Sequence, residues 1–269
     1  MNIAFDTNIY GAIASPEDYK YLDNIEDCKL LNNAITENKI FPFLSSASLS
    51  LEALSHSQRI DEFFREWATK SSGITIPTPS DKRIEIVNKT LALGFKVLHV
   101  PRVALGEMVN IGKEFWAQDL LYDIRQRQER TTSFMEIHGS NGLPKLKDLG
   151  TELARMHDLF VDDILRFPRW PDPYEFRWIE GIVAEFDKPL QFDTRKAFTK
   201  HVREIIAEMT DIDTLASVYG YGFSLFCTND RSKGTGIKGI LHQENFNNLK
   251  QNYEIEVITP SELLEKVPH

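Results

Sequence analysis

The sequence predicts an α/β protein: a three-layer α/β/α sandwich around a mostly parallel sheet, with a large, mainly helical insertion. Short apolar runs at 1–5, 40–44, 223–227 and 255–258 have the length of buried strands. Helical patterns follow several of these runs, as expected where helices cover both faces of a parallel sheet. Between about residues 81 and 200 the texture changes to long helical patterns, which marks an insertion. The core is expected over 1–80 and 201–269.

With 269 residues and 42% hydrophobic content, the chain suits one large domain, or one domain with a sizeable insertion. Net charge is −9 and the pI about 5.3, which excludes a nucleic-acid coat over the whole surface. Any phosphate grip must be local. Residues 81–200 hold about 19 basic and about 19 acidic side chains, so the flanking parts carry the whole acidic excess. Cys28 and Cys227 are far apart and are expected to behave as small buried hydrophobes. No apolar run reaches the ~18 residues of a membrane span, and Met1-Asn2-Ile3 opens a strand, not a signal peptide. A soluble, cytoplasmic protein is expected.

Taken in order, Met1–Phe5 is a minimal strand followed at once by Asp6-Thr7-Asn8. Tyr10 to Ala14 reads as a short helix or turn. Ser15-Pro16-Glu17-Asp18 has the composition of a helix start, and that helix is expected to reach about Asn38. Ile40–Leu44 contains Pro42, which suits an edge strand. The serine-rich stretch from Ser45 predicts a helix to about Lys70, with Glu52 one or two turns in and His56 on the same face. Ile74-Thr75-Ile76 is a candidate strand. Ser80 caps a helix to about Leu93, and 95–100 is a further candidate strand.

A helix containing Glu107 is expected to run past Arg130, another covers 146–167, and a third leads from about Asp193 to Met209. The prolines and aromatics of 166–178 suit either a loop that completes the core or a surface that stacks bases. Asp211 and Asp213 then open a helix that Gly220 and Gly222 stop. The strand 223–227 runs into Thr228-Asn229-Asp230. Residues 231–239 are loop-like and read first as a flexible connector; Arg231 and Lys233 stand next to Asp230, which makes substrate contact the alternative. A strand at 255–258 and a helix opened by Thr259-Pro260-Ser261-Glu262 end the pattern.

Asp-Thr-Asn after one strand and Thr-Asn-Asp after another would converge if the strands are neighbours. Carboxylates held together raise each other's pKa unless a cation lies between them, and all-oxygen sites suit hard ions. Asp6, Asp213 and Asp230 are the candidates, with Glu52 a further ligand beside them.

These pieces together resemble the PIN-domain nuclease family. The likeness rests on 3–8, on Glu52 within 48–53, on 213–216, on 227–230 and on the ending 257–264. It covers roughly 1–80 and 205–267. It implies an α/β/α sandwich and a metal-dependent endoribonuclease holding Mg2+ or Mn2+ on Asp6, Glu52, Asp213 and Asp230. Asn8, Thr228 and Asn229 would orient those ligands, while Asp211 either joins them or caps its helix. Glu107 rivals Glu52. Single-stranded RNA is the expected partner. The insertion is expected to change the substrate, cover the site or make a dimer interface; a homo-oligomer and an inhibitory protein partner are further open expectations.

Three rivals remain. One is a catalytically inactive PIN-like module that binds RNA or protein. A phosphatase with Asp6 as nucleophile wants a second aspartate where Asn8 stands, and a serine hydrolase wants a Gly-x-Ser-x-Gly elbow that the chain lacks.

Overall fold

The computed structural model describes residues 1–55, 58–59, 78–101, 108–117, 124–139, 195–230 and 239–268. The chain divides into two compact units. One comprises Met1–Ala53, Pro79–Gly139 and Thr210–His269, and the other Leu54–Thr78 and Ser140–Met209. In the second unit, the Gln58 amide donates to Thr78 O at 3.0 Å and Arg59 Nε to Leu54 O at 3.2 Å.

The first unit is built on a parallel sheet of five strands: β1 (Asn2–Phe5), β2 (Phe41–Ser45), β3 (Lys96–Leu98), β4 (Leu225–Cys227) and β5 (Glu256–Ile258). They lie in the order β3-β2-β1-β4-β5, every neighbouring pair parallel. Side chains alternate across the sheet. Ile3, Phe5, Leu44, Val97, Cys227 and Ile258 enter one core, while Ala4, Phe43, Leu98, Phe226 and Val257 enter the other. Both faces are therefore apolar, as parallel sheets require.

The first core is closed by α1 (Thr7–Ala14), α2 (Ile25–Thr36), α3 (Asp81–Ala92) and α7 (Pro260–Leu264). The second is closed by α4 (Ile124–His138), the end of α5 (Arg195–Gly220) and α6 (Phe246–Tyr253). The unit is a three-layer α/β/α sandwich. Its strand order reverses between β1 and β4, and such switch points place ligands at the carboxyl ends of the strands.

Several boundaries differ from the sequence reading. Residues 79–139 belong with the sheet, not with an insertion starting at 81. The reason is β3, whose three residues pair with Phe43–Ser45, a pairing that a candidate strand at 95–100 does not reveal by itself. Pro42 lies inside the sheet, not on its edge, since β2 has β1 on one side and β3 on the other. Phe41 N–H donates to Met1 O at 2.8 Å, so by alternation Pro42 faces the β3 side. Pairing with β3 begins only at Phe43, and the missing N–H costs no bond.

Ser15 opens a 3-10 turn, Pro16–Tyr19, and the α-helix starts only at Ile25. The Ser15 hydroxyl donates to Glu17 at 3.2 Å instead of capping the backbone. The long helix expected through Glu107 is replaced in its described part by a 3-10 turn at Lys113–Phe115 and a bridge between Trp116 and Val97; α4 starts at Ile124. Helix α6 is not foreseen by the sequence reading. The candidate strand 74–76, the helix 146–167 and the stretch 166–178 lie outside the described residues.

Helix α5 is continuous, so Asp211 and Asp213 stand in its interior and not at a helix start. No Gly or Pro interrupts 195–219. The helix ends as expected. Gly222 has φ +73°, Phe223 N–H donates to Val218 O at 3.0 Å and Gly222 N–H to Tyr219 O at 3.0 Å. This is a Schellman closure, in which glycine meets the left-handed backbone without steric cost. At α7 Thr259 and Glu262 form a full capping box. Cys28 and Cys227 are both buried free thiols. No described helix is long and apolar enough to cross a membrane.

Candidate functional site

Asp6 follows the last residue of β1, and Thr228 follows the last residue of β4. β1 and β4 pair with Phe5 opposite Cys227, so the topology sets Asp6 and Thr228 side by side. Asp6 N–H donates to Cys227 O at 2.9 Å, and Thr228 N–H to Ile258 O at 3.0 Å, which extends the ladder to the site.

Asp6 is buried, with 8% of its surface exposed. Its Oδ1 accepts the Thr7 N–H at 2.6 Å, which starts α1. Its Oδ2 accepts the Thr228 hydroxyl at 2.6 Å and the Asn8 amide at 2.8 Å. Asn8 Oδ1 in turn accepts Asn229 N–H at 3.2 Å, and Asn24 donates to Asn229 Oδ1 at 2.7 Å. The Thr228 hydroxyl accepts Asp230 N–H at 2.8 Å. The terminal motifs thus interlock through their polar side chains. Asn229 and Asp230 are exposed at the rim.

Glu52 reaches the same place by another route. It stands on a 3-10 turn, Leu51–Ala53, and not in an α-helix. The serines explain the difference: Ser50 turns its hydroxyl back to Ala47 O at 3.1 Å, competing with regular helix bonding. Thr7 donates its hydroxyl hydrogen to Glu52 Oε2 and also meets the Ser48 hydroxyl at 2.8 Å. Thr7 is therefore the hinge between Asp6 and Glu52, and neither it nor Ser48 is singled out by sequence reasoning. Arg83 donates to Glu52 O at 3.1 Å and steadies the turn from α3.

Burial and the charges of two other carboxylates act on Asp6. Asp6 is pushed up from 3.8 to about 7, first by burial, then by the charge of Glu52 and less by that of Asp230. The bonds from Thr228 and Thr7 oppose this rise. Asp213 is buried at 4% exposure on α5. Its neighbour Thr214 bonds the Ser45 hydroxyl at 2.8 Å, and Ser45 ends β2. That turn of α5 consequently lies at the carboxyl end of the sheet. Asp211 is half-buried and, inside α5, caps no helix. Glu107, Arg231 and Lys233 lie outside the described residues, as does His56.

The donors are carboxylate, hydroxyl and amide oxygens, the chemistry of a hard divalent ion. Among the described residues no group of three or more Asp, Glu, His or Cys is arranged to hold a metal ion by itself. Magnesium commonly takes only one or two carboxylates and completes its shell with water and substrate phosphate. Asp6 with Glu52, or Asp6 with Asp230, meets that smaller requirement in donor type. Comparison of the chain with protein-family models, with curated proteins and with solved structures gives no match.

Proposed function

We propose that the carboxyl end of this sheet is the active site of a metal-dependent endoribonuclease. The observation that carries the reading is the Asp6 carboxyl, raised to about 7 by burial and by Glu52 and Asp230. Negative charge gathered at a strand-order reversal calls for a cation, and a phosphodiester substrate fits a site where a cation is shared. Asp6, Glu52 and Asp230 would hold Mg2+ or Mn2+, with Asp213 contributing from α5. When bound, the ion would polarise water and stabilise charge developing on the phosphate. Thr228 and Asn8 fix the orientation of Asp6, and Thr7 and Ser48 that of Glu52. RNA as the substrate rests on the resemblance to PIN-domain nucleases; a cytoplasmic setting goes with it.

The test is cleavage of labelled single-stranded RNA in manganese by the wild type, Asp6→Asn and Asp230→Asn. Loss of activity by roughly a hundredfold or more in Asp6→Asn is expected, given that partners of metal ligands alone are worth 10- to 100-fold. Undiminished cleavage in both variants rejects the assignment.

A second reading has one observation in its favour. Three acceptor positions of Asp6 are already filled by Thr7, Asn8 and Thr228, out of about four on a carboxylate. That suits a non-catalytic PIN-like module in which Asp6 only locks β1 to β4. Calorimetry with manganese separates the two: no binding at millimolar metal favours the module.

A further inference from the structure

The carboxyl end of the sheet carries a second group of side chains, aromatic and cationic, in His99, Trp116, Tyr221 and Arg127. His99 directly follows β3 and is exposed. Its ring stacks on half-buried Trp116, with centroids 4.2 Å apart and planes 13° from parallel. The stack is braced by the backbone. Ser217 donates to His99 O at 2.8 Å, His99 N–H reaches the Tyr221 hydroxyl at 3.4 Å, and Ala117 N–H donates to Val97 O at 2.9 Å. Arg127 donates to the same Tyr221 hydroxyl at 2.8 Å, its guanidinium 5.1 Å from that ring's centroid.

We propose that His99, Trp116 and Arg127 form a stacking platform that receives bases of single-stranded RNA beside the acidic site. The identity of the ligand rests on the ribonuclease reading. Aromatic faces hold unpaired bases irrespective of sequence, and arginine adds a phosphate contact or a stacking plane. Bases already paired in a duplex are stacked on one another and have no face to offer. Burial and the Arg127 charge hold the His99 imidazole below its usual pKa, so the ring is neutral at pH 7 and presents an uncharged face. β3 stands two strands from β1, about 10 Å at ordinary strand spacing. Adjoining nucleotides of one strand span that distance.

The experiment measures binding of a fluorescent single-stranded RNA oligomer to the full chain in EDTA, where no cleavage occurs. Trp116→Ala should weaken binding roughly 5- to 100-fold, from the usual worth of one stacked base. Trp116→Phe should restore most of it. Arg127→Ala should weaken binding and lower the salt dependence by about one counterion. Duplex RNA of equal length should respond little to Trp116→Ala. Unchanged affinity in Trp116→Ala and Arg127→Ala overturns the platform, as does wild-type protein that binds no single-stranded RNA. If Trp116→Ala fails to fold, Arg127→Ala and His99→Ala decide. Cleavage by these variants with wild-type KM removes the platform and leaves the ribonuclease reading intact. Platform-dependent binding without cleavage in any divalent metal does the reverse.

Discussion

Thr228 donates its hydroxyl hydrogen to Asp6 Oδ2 across 2.6 Å, joining the ends of two neighbouring strands that are 222 positions apart in the chain. The Thr228 hydroxyl oxygen in turn accepts the Asp230 N–H at 2.8 Å and the Asn8 amide at 3.2 Å. Thr228 is fully buried. Thr228→Val keeps the shape and removes this junction. Three polar groups then lose a partner, and destabilisation of about 1–3 kcal/mol is expected in urea unfolding. Asp6 should also titrate higher in the variant, because the Thr228 bond holds it down.

Asp6 makes stability depend on pH in an unusual direction. Its folded-state pKa of about 7 exceeds the ordinary 3.8, so between these values the folded state keeps a proton that the unfolded chain releases. Stability from this group is therefore fully present below about 4 and is lost as pH rises through about 7. Melting in EDTA should fall over that window by the equivalent of a few kcal/mol. In Asp6→Asn the slope should largely vanish. A wild-type slope identical to that of the variant would contradict the shift.

Divalent metal should oppose the same penalty. Manganese competes with the proton for Asp6, so it should raise the melting midpoint more at pH 8 than at pH 5. At a hundred times the dissociation constant the stabilisation is about 2.7 kcal/mol. Equal shifts at both pH values, or none, would place any metal away from Asp6.

Gly222 offers a test that isolates backbone conformation. A Cβ added there meets nothing within 4 Å, yet φ is +73°. Gly222→Ala should cost about 1–2 kcal/mol in thermal unfolding through conformation alone. Gly222→Asn should cost less, since asparagine tolerates the left-handed region.

Much of the sheet was legible in the sequence, because a buried strand needs only a short apolar run. The Asp6-Thr7-Asn8 and Thr228-Asn229-Asp230 triplets announced their meeting for the same reason: each follows such a run. β3 was readable as a strand, but not its place beside β2. Two helices were read where α5 is one. The acids at 211 and 213 looked like a fresh start, although the stretch contains no Gly or Pro to break it. The turn holding Glu52 escaped because serine chemistry, not apolar spacing, decides it. Thr7, Ser48 and Asn24 were missed as site members, since a hydroxyl or amide gains its role only from a neighbour remote in sequence.

Pro42 has a consequence for how the strands find each other. Sliding β3 two positions toward the start of β2 would keep every side chain on its proper face, so apolar patterning alone does not forbid it. Such a slide would bring a β3 carbonyl against an imino ring that has no hydrogen to give. The misaligned ladder forfeits a bond that the native one retains, and the ring serves as a stop that sets the alignment of these two strands.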